Sequence, residues 1–131
     1  MLFEQENVRG EVKYDKLVFR YPARPEATVL KGLSEIAEPG KTLALVGPSG
    51  SGKSTLALLV ERFYDPQGGS MRLDDKNFKD LNIAMLRDQV GFVTQEPELF
   101  NTTVRENIIF GFGKIDGTVV MEEQIIEAAK L

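Results

Sequence analysis

Two residue types that carry much of protein chemistry are missing from this chain of 131 residues: it has neither cysteine nor histidine. Without cysteine there is no disulfide and no thiolate metal site, a composition that fits a reducing compartment. Without histidine, any mechanism that needs an imidazole must borrow it from elsewhere. Long apolar runs are also lacking. None approaches the roughly 20 residues of a membrane span, and Met1-Leu-Phe-Glu-Gln-Glu has neither the basic start nor the apolar stretch of a secretory leader. The expectation is a soluble polypeptide that does not itself cross a membrane. Basic stripes are absent too. Sixteen Lys and Arg against 20 Asp and Glu leave a net charge of −4, which argues against nucleic acid as a partner. An anion site, if there is one, has to be local. What remains is 42% hydrophobic and free of low-complexity tracts, enough for one globular domain with a sizeable core.

The local anion site is legible at residues 47–55. Gly47, Pro48, Ser49, Gly50, Ser51, Gly52, Lys53 and Ser54 fit the pattern G-x-x-x-x-G-K-[ST], and Thr55 follows. Upstream, Thr42-Leu-Ala-Leu-Val46 reads as a strand buried on both faces of a parallel sheet. Downstream, Leu56, Leu59, Val60 and Phe63 recur at helical spacing. The glycines therefore sit where a strand turns into a helix. They permit backbone angles that a Cβ forbids, so successive N–H groups can curl around an anion at the positive end of the helix. In such a loop Lys53 reaches β- and γ-phosphates as a point charge, and Ser54 offers its hydroxyl to Mg²⁺.

The rest of the chain reads as short elements around that loop. Residues 1–10 are polar and form a lead-in, with the domain proper spanning 11–131. Val12, Tyr14, Leu17, Phe19 and Tyr21 alternate with polar residues, and Asp15-Lys16 shifts the register once, giving an antiparallel strand pair or a bulged strand. A weaker strand over Val29 to Ala37 closes at the turn Glu38-Pro39-Gly40-Lys41. Residues 64–69 stop the loop helix. Met71 and Leu73 make a short strand running into Asp74-Asp75, and Leu81 to Leu86 has helical spacing. Val90-Gly-Phe-Val-Thr94 reads as a second buried strand that delivers Gln95 at the sheet edge where ligands bind. Thr103-Val-Arg-Glu106 is a capping box opening a short helix through Ile109, with Gly111 and Gly113 behind it. Thr118 precedes a final helix with Met121, Ile125, Ala128 and Ala129 on one face. That helix has no stop signal before Leu131, which suggests a larger domain.

Five segments in order give the chain a specific resemblance over nearly its whole length. They are Phe19-Arg-Tyr21-Pro22-Ala-Arg-Pro25, Val29-Leu-Lys-Gly32, residues 45–55, Glu61-Arg-Phe-Tyr-Asp-Pro66, and Val93-Thr-Gln-Glu-Pro97 with Leu99-Phe100. Together they resemble the nucleotide-binding domain of ATP-binding cassette (ABC) transporters of the multidrug-exporter type. The resemblance implies an α/β fold of the P-loop nucleoside triphosphate hydrolase kind, with an N-terminal antiparallel β subdomain and part of a RecA-like core. It implies ATP and Mg²⁺ as cofactors, with Tyr21 stacking on adenine and leaving its phenol wet. Gln95 looks like the Q-loop glutamine, which contacts the metal and the water near the γ-phosphate. Pro97 to Thr103 resembles the surface that receives a coupling helix of a transmembrane domain. Leu99-Phe100 fits a partner patch there, with Phe100 in the core as the other reading. The implied setting is the cytosol-facing, or matrix- or stroma-facing, side of a membrane, with a second nucleotide-binding domain as partner. Two departures stand out. Glu35 occupies a position usually apolar, so its strand is expected to be bulged or poorly buried. Asp75 stands where Asp-Gly is frequent, which leaves the tightness of that turn open.

The residues that complete catalysis in the family are not in this sequence. The Leu-Ser-Gly-Gly-Gln signature, the acidic strand with its catalytic Glu, and the switch histidine are all missing. Ser70 to Asp75 is interrupted by Arg72 and reads as a structural strand. The expectation is a chain that binds MgATP and, by itself, hydrolyses it poorly or not at all. Two other readings stand beside it: a self-sufficient small P-loop kinase or GTPase, which would need its own acidic strand or an Asn-Lys-x-Asp motif, and a non-catalytic module that docks on a membrane subunit.

Overall fold

The computed structural model describes residues 8–110 and 120–130, in two compact units that divide after Phe92. The lead-in up to Asn7, Gly111, Gly113, Thr118 and Leu131 lie outside the described residues.

The first unit is built on a four-stranded antiparallel sheet. Its strands are β1 (Val12–Arg20), β2 (Thr28–Ala37), β3 (Gly68–Leu73) and β4 (Lys76–Asn77), in the order β2-β1-β3-β4. The central β1 buries Tyr14, Leu17 and Phe19, while Asp15 and Lys16 both face solvent. That two-residue exposed step is a bulge: the β1/β2 register shifts between Tyr14 and Leu17, and Lys16 takes φ +47°. The Lys16 amide, removed from the ladder, donates instead to the Ser34 hydroxyl at 2.9 Å. Of the two readings open at Asp15-Lys16, the bulged strand is the one the fold adopts, paired on both edges. Gly69 lies beneath the bulge at φ +78°, where a Cβ would come within 2.3 Å of the Asp15 carbonyl oxygen. Only glycine lets the two backbones approach that closely. Burial also raises the pKa of the Tyr14 phenol above its ordinary value.

Beyond the sheet, α1 (Lys53–Val60) packs Leu56 and Leu59 into the same core as Leu17, Phe19, Leu30 and Met71. Phe63 does not extend this helix. Arg62 adopts the left-handed conformation at φ +52°, the Phe63 amide bonds the Leu58 carbonyl at 3.0 Å, and the Arg62 amide bonds that of Leu59 at 3.1 Å. This is a Schellman stop with arginine in the usual glycine position. The Arg62 guanidinium secures it by donating to the carbonyls of Phe78 and Leu81 at 2.8 and 3.0 Å and to Asp65 at 3.1 Å. Phe63 lies outside the core, with the Arg87 guanidinium 4.9 Å over its ring.

Glu35 is exposed, so the poorly buried reading of that position holds. The Asp74-Asp75 turn closes tightly with Leu73 paired to Lys76. Asp74 takes the positive φ, and its carboxylate accepts the amides of Arg9 and Glu11, each at 3.0 Å. Asn82 caps α2 (Ile83–Asp88) by accepting from the amides of Ala84 and Met85.

Two expected strands do not form. Residues 42–46 and 90–94 make no ladder, and Val46 and Val93 are 93% and 91% exposed. A parallel strand takes its hydrogen bonds from segments a crossover or more away, and no described segment supplies them. Val46 and Val93 are accordingly left in water, while Val90 packs partly against the core.

The second unit carries α3 (Val104–Ile108) and α4 (Glu122–Ala128), linked by Arg105, which donates to Glu122 at 3.0 and 3.2 Å. The capping box is present: the Thr103 amide donates to the Glu106 carboxylate at 2.9 Å, and the Glu106 amide to the Thr103 hydroxyl at 3.2 Å. Of the apolar face expected on α4 only Ile125 is buried, while Met121, Ala128 and Ala129 remain exposed. No described helix is long and apolar enough to cross a membrane.

Candidate functional site: the glycine loop and its aromatic neighbours

The chain from Thr42 reaches the loop without regular structure, turns at residues 49–50, and enters α1 at Lys53. Ser51 donates its amide to the Pro48 carbonyl at 3.2 Å, closing the turn. Gly50 and Gly52 take φ +78° and +93°, angles that follow from the loop's curl and that side chains resist. Gly52 is constrained twice, because a Cβ there would meet Leu30 Cδ2 at 2.8 Å and Val29 Cγ1 at 3.1 Å on β2. Being a glycine, Gly52 offers α1 no side-chain cap, and the first turn holds no acidic residue. The positive end of the helix is therefore left to face the exposed loop of Pro48, Ser49, Gly50 and Ser51.

Lys53 folds back over this loop. Its ammonium donates to the carbonyls of Gly47 and Pro48 at 2.8 and 2.7 Å and approaches Ser51 Oγ at 3.4 Å. Three donors thus meet three acceptors, all belonging to the loop. Ser54 is exposed, while Thr55 is 4% exposed and faces inward.

Tyr21 follows the end of β1 and reaches the same helix. Its hydroxyl shares a hydrogen bond of 2.9 Å with Thr55 Oγ1, so the phenol expected to be wet is tied to the loop helix. The ring stands edge to face with Phe19 at 5.0 Å and with Tyr64 at 5.4 Å between centroids. Tyr64 is the member of this group that motif reading missed. It was visible within Glu61-Arg-Phe-Tyr-Asp-Pro66 but had no role there, because only folding brings residue 64 beside residue 21.

Gln95 belongs to the second unit. It is exposed in a bend, not at the end of a strand, and Thr94 donates its hydroxyl to the Glu96 carbonyl at 2.9 Å beside it. In the segment after it, Leu99 is 80% exposed and Phe100 is half-exposed, so Phe100 is no core residue. Phe100 is held in place, with Asn107 clasping its amide and carbonyl at 2.8 and 3.1 Å and Phe110 stacked on its ring at 3.9 Å.

A glycine loop feeding an uncapped helix start, with a lysine over it, defines a P-loop nucleotide-binding fold. The comparisons agree. A family model described as ABC transporter matches residues 30–131. Multidrug resistance protein 4 of Entamoeba histolytica is 54% identical over 125 residues, which cover 95% of this chain and 9% of that protein. Multidrug resistance protein pgp-1 of Caenorhabditis elegans is 48% identical over 128 residues, 98% of this chain and 10% of its own length. Among solved structures, a bacterial Atm1-family ABC exporter with ATP bound is similar at a TM-score of 0.84 and 37% identity, covering 93% of this chain and 20% of that one. The chain belongs to the ABC transporter family and carries part of the nucleotide-binding domain of its multidrug-exporter type. It spans about a tenth of the length of the curated relatives it matches.

Proposed function

We propose that residues 11–131 bind MgATP as the phosphate-loop half of an exporter ATPase domain. The observation that carries this reading is the loop itself: α1 begins at Gly52 with no side-chain cap, while Lys53 spans the loop carbonyls. These residues fit the group. In the loop of Gly47, Pro48, Ser49, Gly50 and Ser51, the amides beyond Pro48, which itself has no N–H, would hold phosphate oxygens together with those at the start of α1, and Lys53 would supply positive charge. Ser54, exposed on the first turn, would supply a hydroxyl to Mg²⁺. Gln95 is proposed as the metal- and water-positioning glutamine, and Tyr21 as the ring that stacks on adenine. The bound metal supplies charge neutralisation at the phosphates.

Hydrolysis calls for a general base and an opposing signature segment that this sequence does not contain, so binding without appreciable turnover is the activity proposed for the chain. Transport, the transmembrane partner at Pro97 to Thr103, the second nucleotide-binding domain and a cytosol-, matrix- or stroma-facing position are proposals on the same footing. They are supported by the exporter relatives and by the exposed Leu99 and Phe100.

Calorimetric titration with MgATP tests the reading. The chain is expected to bind, and Lys53→Ala is expected to remove about 1.5–3 kcal/mol, weakening affinity about tenfold to over a hundredfold. An unchanged titration in the variant would remove the loop from the site. A clear preference for GTP over ATP would favour a self-sufficient P-loop enzyme instead.

A further inference from the structure

The bond between Tyr21 and Thr55 joins two parts of the site that recognise different chemistry. Tyr21 lies just beyond the last ladder residue of β1, and its carbonyl accepts the Arg24 amide at 2.9 Å in the turn that follows. Its ring touches Phe19 and Tyr64 edge to face, contacts that hold it by area. The hydroxyl contact is different in kind because a hydrogen bond at 2.9 Å is directional. Its other end is also anchored. Thr55 is buried in the first turn of α1, two residues after Lys53, and a buried hydroxyl needs a partner; Tyr21 provides one.

We propose that the Tyr21 hydroxyl is a positioning group: through Thr55 it tethers the ring offered to the base to the helix that begins the phosphate loop. The spacing between base platform and phosphate cradle is thereby set before a nucleotide arrives. The tether rests on the ATP-site reading of Tyr21 and residues 47–55. It adds that the phenol oxygen, and not only the aromatic face, contributes to nucleotide affinity. Preorganisation of this kind strengthens binding by reducing the ordering left to the bound state. It acts on ligands that carry a base and not on a bare phosphate chain.

The test compares MgATP with Mg-tripolyphosphate on the full chain, using Tyr21→Phe, Thr55→Val and the double variant. Circular dichroism confirms the fold of each. Tyr21→Phe keeps the ring and removes only the oxygen. It is expected to weaken ATP about threefold to tenfold, the worth of one neutral hydrogen bond, while tripolyphosphate stays within about twofold. In a Thr55→Val background, adding Tyr21→Phe is expected to cost nothing further. Equal losses for the two ligands, or a Tyr21→Phe loss that persists undiminished in the Thr55→Val background, would overturn the tether alone. A Thr55→Val chain that fails to fold leaves the ratio of the two ligands in Tyr21→Phe to decide. Failure of the unmodified chain to bind either ligand would overturn the ATP-site reading together with the tether.

Discussion

The antiparallel sheet and the two irregular segments at 42–46 and 90–94 draw on similar residues and end in opposite states. Leu17 and Phe19 are fully buried, whereas Leu43 and Leu45 are more than a third exposed and Val46 and Val93 almost wholly so. The difference is one of connection. The four sheet strands lie within residues 12–77, and every one has its partner there: β1 meets β2, and β3 meets β4, across short connections, while β3 returns to β1 after α1. A central strand of a parallel sheet has to find partners across crossovers, and a β-prone apolar run without them has no ladder to join. Hydrophobicity marks where a strand belongs, and pairing decides whether it exists.

The contrast can be broken by mutation. Leu17→Ala, at a fully buried site, is expected to cost about 2–5 kcal/mol in urea unfolding, whereas Val46→Ser should stay within about 0.5 kcal/mol. Comparable losses at the two positions would mean that residues 42–46 are packed after all. Next in size, Gly69→Ala places a methyl against the Asp15 and Lys16 carbonyls at a positive φ, and about 1–3 kcal/mol should be lost through backbone strain. A neutral result would show that the bulge in β1 can relax. Amide hydrogen exchange sharpens the same point without mutation: amides laddered in β1 and β3 should exchange far more slowly than those of residues 42–46 and 90–94. Uniform protection would contradict the division.

The smallest effect belongs to the second unit. The backbone and hydroxyl donors of Thr103 lower the pKa of the Glu106 carboxyl below the ordinary carboxylate value. A depressed folded pKa stabilises the cap above the unfolded value of about 4.3 and loses that contribution as pH falls through the folded pKa. Carbon-13 NMR of the Glu106 carboxyl should therefore show a midpoint below about 4.3, with α3 loosening only in more acidic solution. A midpoint at or above that value would remove the capping box as its cause.

Much of the site was legible because its chemistry is local. Residues 47–55 had to be a loop entering a helix, since the glycine spacing and Lys53 permit little else, and the structure places the helix start at Lys53. The Thr103–Glu106 box and the exposed step at Asp15-Lys16 were readable for the same reason: each is determined within a few residues. What misled was periodicity taken beyond its range. Phe63 kept helical spacing with Leu56 and Leu59, yet Arg62 stops the helix because carbonyls from residues 78 and 81 accept its guanidinium, and spacing carries no trace of them.

By itself, then, the order of residues determined the family, the phosphate loop, the caps and the alternation of β1, all consequences of short-range sterics and hydrogen bonding. Folding alone decided that Tyr21 would meet Thr55 and Tyr64, that Gly69 would lie under the bulge, that Lys53 would clasp its own loop, and that two apolar runs would go unpaired. Those outcomes depend on groups separated along the chain, and only the packed backbone sets the distances between them.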